Sequence, residues 1–116
     1  MLVVDAHEDI AWGRMALKRD VRCSVQETRR LEAGTDTPRL YGDCMLGLPE
    51  WISGRVAVVF GTLFVSPAGR EGWEPCSYTT ALEAHTQAMA QLDYYHHLAD
   101  ESPHVSLVLE QAGLGD

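Results

Sequence analysis

Leu2-Val3-Val4-Asp5-Ala6-His7-Glu8-Asp9 is the stretch on which the fold turns. An apolar, β-branched run leads straight into a polar cluster. That order predicts a short buried strand whose carboxyl end carries the polar groups. Side chains alternate along a strand, so His7 and Asp9 share one side and Glu8 faces away. An imidazole nitrogen and a carboxylate oxygen on the same side can reach one divalent ion. Asp5 has their parity but lies deeper, where it would support the pair.

Beyond this cluster, Ile10 to Trp12 is an apolar piece that Gly13 is expected to break. Val25 to Leu31 reads as a helix, with Ser24 as cap and Glu27 three residues on in capping-box spacing. Thr35-Asp36-Thr37-Pro38 is a turn, and Arg39 to Pro49 reads as irregular around Gly42 and Gly47. The clearest strand is Arg55 to Val65, in which Val56-Ala57-Val58-Val59-Phe60 is a continuous apolar run of the kind buried on both faces of a parallel sheet. Leu63-Phe64-Val65 continues it after Gly61-Thr62, and Ser66 to Pro75 is a loop. A long helix follows, capped by Ser77 or Thr80. Its apolar positions are read as Leu82, His85, Met89, Leu92, Tyr95 or His96, and Ala99. Ser102-Pro103 stops it, and Val105 to Leu109 reads as a third short strand.

Strand, helical insert, strand, long helix, strand is βα alternation. Neither strand is followed by a dinucleotide fingerprint or a P-loop. A polar cluster at a strand's carboxyl end fits a (β/α) barrel, and three strands are too few to close one.

The chain has 116 residues, 46% of them apolar, which suits one globular domain. Its formal net charge of -8 repels phosphate backbones, so nucleic acid is not an expected partner. The basic residues Arg14, Lys18, Arg19, Arg22, Arg29 and Arg30 read as a solvated helix face. Cys23, Cys44 and Cys76 are widely spaced, with no Cys-x-x-Cys pair. They read as reduced thiols of a cytoplasmic protein. No stretch has signal-peptide character or membrane-spanning length, so no transmembrane segment is expected.

The segment Val4-Asp5-Ala6-His7-Glu8-Asp9-Ile10 resembles the opening Asp-Gly-His-Asn-Asp-Leu motif of the membrane (renal-type) dipeptidase family. Gly34-Thr35-Asp36-Thr37-Pro38-Arg39-Leu40 is similar to a shortened form of that family's Gly-Thr-x-Thr-x-x-Pro-Lys-Leu stretch. Arg55 to Phe60, continued through Val65-Ser66-Pro67, looks like its second strand, and Ala81 to Ala99 looks like its next helix. The likeness covers nearly the whole chain, but only the opening part of such an enzyme. Ala6 stands where the family has Gly, Glu8 where it has Asn, and Thr62-Leu63 lacks the family's aromatic string.

The resemblance implies an α/β fold: the N-terminal part of a metal-dependent hydrolase (β/α) TIM barrel, with residues 1–116 an incomplete, amidohydrolase-like domain. It implies a zinc-dependent dipeptidase that cleaves dipeptides or small amides with two zinc ions. His7 and Asp9 would be ligands of one zinc, and Asp5 their neighbour. The bridging glutamate and two further histidines would come from later strands, because Glu110-Gln111-Ala112-Gly113 departs from the family's Glu-Gly-Gly-His. This chain would then hold at most a half-site, be inactive alone, and self-associate through exposed sheet edges. Two alternatives stay open: another amidohydrolase-type barrel, such as an amidase or deaminase, and a non-catalytic α/β protein that binds partners. His85 is read as a packing residue, His96 and His97 face different ways on a helix, and His104 lies in a turn, so none is expected to bind metal.

Overall fold

A computed structural model describes residues 1–69 and 75–114 of the chain. Strand β1 (Val3–Glu8) leads into helix α1 (Ile10–Leu17), and three further short helices follow: α2 (Val25–Glu32), α3 (Thr37–Tyr41) and α4 (Leu48–Ser53). Strand β2 (Val56–Gly61) comes next, then the two-residue strands β3 (Ser66–Pro67) and β4 (Ser77–Tyr78), and the long helix α5 (Ala81–Glu101). A single 3-10 turn covers Gln111–Leu114.

β2 lies parallel to β1, and the four short helices form the crossover between them. A parallel pair needs such a crossover, because the chain must return to the same end before it can run alongside again. Cα partners are Val3 with Val56, Val4 with Val58, Asp5 with Val59 and Glu8 with Gly61. Between Asp5 and Glu8, β1 carries one more residue than β2 does opposite it, which is a bulge. β3 and β4 form a second small parallel pair.

The core is small. Ile10 and Ala11 of α1, Val21, and Tyr95 and Leu98 of α5 are buried together, with Trp51, Val59, Tyr94 and Val105 packed against them. Trp12 stands edge-on to Tyr41 at 5.8 Å and to Phe64 at 6.4 Å, joining α1 to α3 and to the segment after β2. Arg19 forks onto Glu32 at 2.7 and 3.0 Å and also donates to the Gly42 carbonyl at 2.8 Å. That guanidinium ties the end of α2 to the start of the irregular crossover.

Tyr95 and Gln91 fix α5 against the strand ends. The Tyr95 hydroxyl accepts from the Ala11 N–H at 3.3 Å and donates to the Thr62 carbonyl at 2.9 Å. Gly61 makes this approach possible: a Cβ there would lie 2.8 Å from the Tyr95 ring. A full capping box starts the helix, with Thr80 and Glu83 each bonding the other's backbone N–H. At α2, Ser24 accepts from the Glu27 N–H at 3.1 Å, but the Glu27 carboxylate turns to Arg30 and the box stays half made.

Several expectations are corrected. Gly13 does not break the first helical piece: it lies inside α1, with its N–H bonded to the Asp9 carbonyl. Arg39 to Pro49 is not wholly irregular, because α3 and α4 begin and end around it, each with proline at its start, where the missing N–H costs nothing. Val105 to Leu109 forms no strand and joins no described sheet. The buried stripe of α5 runs through Gln91, Tyr95 and Leu98, while Leu82, His85 and Met89 are exposed. β2 is not covered on both faces either, since Phe60 is 59% exposed.

Candidate functional site

The carboxyl ends of β1 and β2 lie side by side, because the strands are parallel. β1 delivers His7, Glu8 and the following Asp9 there, and β2 delivers Thr62 just after its last residue. The Thr62 N–H donates to the Glu8 carbonyl at 3.0 Å, which extends the ladder to this edge.

His7 and Asp9 meet where β1, bulged before Glu8, passes into the N-cap of α1. His7 Nε2 lies 3.4 Å from Asp9 Oδ1, with the imidazole 71% and the carboxylate 43% exposed. Asp9 also occupies the N-cap position of α1, yet its side chain makes no capping bond. Its Oδ1 instead accepts a hydrogen bond from the Thr62 hydroxyl. Asp5 lies behind the pair and accepts from the His7 N–H at 3.1 Å through its Oδ1.

Glu8 does not face away from this group. The bulge between Asp5 and Glu8 breaks the alternation, and Glu8 lines the same cleft as His7 and Asp9, with the Asp5 carboxyl acting on that of Glu8. Partial burial, the neighbouring Asp5 carboxyl and the negative charge of Asp9 push the Glu8 carboxyl up to about 7, with His7 opposing. Neither Glu8 nor Thr62 is marked in the sequence as part of the site. A bulge leaves no trace in a hydrophobicity pattern. The only signal for Thr62 is a hydroxyl residue placed one step past the apolar run of β2.

His7, Glu8 and Asp9 form the rim of a cleft of about 240 Å³ whose wall includes Trp12, Leu17 and Leu46. Arg19 also reaches it, but its charge is neutralised by Glu32. Among the described residues, no group of three or more His, Cys, Asp or Glu side chains is placed to hold a metal ion. His85, His96, His97 and Glu110 are exposed and lie away from the pair, on α5 and beyond it. Burial pushes the Cys76 thiol up, which disfavours its thiolate. No described helix is long and apolar enough to cross a membrane.

Comparison with protein-family models, with curated proteins and with solved structures gives no match to this chain.

Proposed function

We propose that this chain is the opening portion of a zinc-dependent dipeptidase barrel, in which His7 and Asp9 supply half of the metal site. The observation that carries the reading is the 3.4 Å between His7 Nε2 and Asp9 Oδ1. Nitrogen and oxygen ligands about 2.0–2.1 Å from a tetrahedral zinc lie about 3.4 Å from each other. A charge-assisted N–H to carboxylate hydrogen bond closes to about 2.7–2.9 Å instead. The spacing of the pair lets both donors reach one ion.

Position supports the same reading. The two donors sit at the carboxyl end of a parallel strand, the end at which (β/α) barrels build their sites. His7 offers a neutral nitrogen and Asp9 an anionic oxygen, and both face solvent and the cleft. Zinc bound there would act as a Lewis acid on a peptide carbonyl and on water. Asp5 orients the strand end through the His7 N–H, and the Glu8 carboxyl beside it is pushed up to about 7. Two donors make half a site, so the remaining ligands belong to the rest of the barrel that the resemblance implies.

The test is zinc content and dipeptide turnover in the full-length protein for His7→Ala, Asp9→Ala and Glu8→Ala. Loss of a residue behind the metal ligands costs about 10 to 100-fold in affinity or activity, so loss of either direct ligand is expected to cost at least that much. Glu8→Ala is expected to be milder. Normal zinc occupancy and turnover in both His7→Ala and Asp9→Ala removes the assignment.

A further inference from the structure

We propose that Thr62 is a positioning residue for the zinc pair: its hydroxyl holds the Asp9 carboxylate in the orientation that presents Oδ1 to His7. This rests on the reading of His7 and Asp9 as ligands.

Asp9 would otherwise be loosely held. It is the N-cap of α1, but it caps nothing with its side chain, and its carboxylate is 43% exposed. A free carboxylate there would turn between the backbone N–H groups of the helix start and solvent. The Thr62 hydroxyl has one proton and two oxygens within reach: Asp9 Oδ1, and the Glu8 carbonyl at 3.3 Å. Of the two acceptors Asp9 is the charged one, so the proton goes to Asp9.

Thr62 is itself held from three directions. Its N–H bonds the Glu8 carbonyl at 3.0 Å, its carbonyl accepts from the Tyr95 hydroxyl at 2.9 Å, and its β-branch limits the rotamers open to it. Tyr95 is buried, reaches the site over Gly61, and also accepts from the Ala11 N–H at the start of α1. Thus α5 clamps the ends of both strands, and the clamp presents one hydroxyl to one carboxylate. This arrangement would lower the cost of fixing the carboxylate when zinc binds, since its rotamer is already selected.

The experiment compares Thr62→Val, Thr62→Ser and Thr62→Ala with His7→Ala and Asp9→Ala in the full-length protein. Zinc affinity is read by competition with a chromophoric chelator, and ligand geometry by the visible spectrum of the cobalt(II)-loaded protein. Thr62→Val keeps the shape and removes the proton. It is expected to weaken zinc by about 10 to 100-fold and to shift the cobalt bands, with Thr62→Ser restoring both. Should the valine variant not fold, Thr62→Ala carries the same expectation. If His7→Ala and Asp9→Ala lose zinc while the hydroxyl-free variant binds it normally, Thr62 has no such role and the ligand reading stands. Equal loss in Thr62→Ser and Thr62→Val also overturns the proposal, because shape and not the hydroxyl is then at stake. Undiminished zinc in His7→Ala and Asp9→Ala overturns the underlying reading itself.

Discussion

Gln91 grips the backbone of Phe64 from both sides: its Oε1 accepts from the Phe64 N–H at 2.8 Å and its Nε2 donates to the Phe64 carbonyl at 2.6 Å. Gln91 is fully buried, and so it serves α5 as a strand would serve its neighbour. Replacing it with leucine keeps the bulk but leaves two backbone groups without their partner. Each unmet group costs about 1–3 kcal/mol, reduced where water can reach it. Phe64 is partly exposed, so Gln91→Leu is expected to destabilise by about 2–4 kcal/mol. Chemical denaturation of parent and variant measures this. A change within error would show that water replaces the glutamine at no cost.

The same residue explains how much of the fold the sequence discloses. The extent of α5 is legible, because Ala81 to Glu101 contains no Gly or Pro and Thr80 and Glu83 have capping-box spacing. Its inward face is not, because Gln91 is polar and is buried for its hydrogen bonds, while apolar Leu82 and Met89 are left outside. β1 and β2 are legible from their apolar runs. α3 and α4 are too short for a periodic signal, and their prolines look like breaks although they stand at helix starts. At the site, the two-residue spacing of His7 and Asp9 is visible in the sequence, but Asp9 meets His7 from the N-cap of α1, beyond the end of β1. The turning of Glu8 toward Asp5 depends on a mismatch of register between two strands, which neither strand's sequence states alone.

Arg19 and Glu32 form a forked ion pair with side chains only 20% and 10% exposed. Removing one partner strands the other charge away from water, which costs about 3–5 kcal/mol when the pair is fully buried. Arg19→Met is therefore expected to approach the lower end of that range. Arg19→Met with Glu32→Leu is expected to recover most of the loss, because no charge is left unpaired. A double-mutant cycle by denaturant unfolding decides the matter. Additive losses would show that the two side chains act independently.

Glu8 makes stability depend on pH in a definite direction. Its folded carboxyl is raised from 4.5 to about 7, chiefly by burial and then by the Asp5 carboxyl. The fold therefore favours the protonated form. The contribution is fully present below about pH 4.5, falls as pH rises, and levels off above about 7. Glu8→Gln stays neutral at every pH, so it is expected to lack this slope. Metal-free melting curves of parent and variant, taken between pH 4 and about 8, give the difference. Parallel curves across that window would mean that Glu8 titrates alike in the folded and unfolded chain.

β1 and β2 leave apolar side chains uncovered: Val4 is 60% exposed and Phe60 59%, with Leu63 and Phe64 beside them. A two-stranded parallel sheet is marginal without further strands or covering helices. Its free edges also offer unpaired N–H and C=O groups to other chains. The radius of gyration, 15.3 Å, exceeds the roughly 13 Å usual for a domain of about this length, as expected where packing is incomplete. The 116-residue chain alone is therefore expected to self-associate. The net charge of -8 opposes this through repulsion. Salt screens that repulsion, with a Debye length of about 10 Å at 0.1 M falling to about 3 Å at 1 M. Association is thus expected to strengthen as salt is raised, whereas contacts held by ion pairs would weaken. Sedimentation at low and high salt, paired with a melting curve, distinguishes the cases. A monodisperse monomer at both salt levels with a sharp two-state melt would mean that β1 and β2 need no further covering, and would count against an opening segment of a larger barrel.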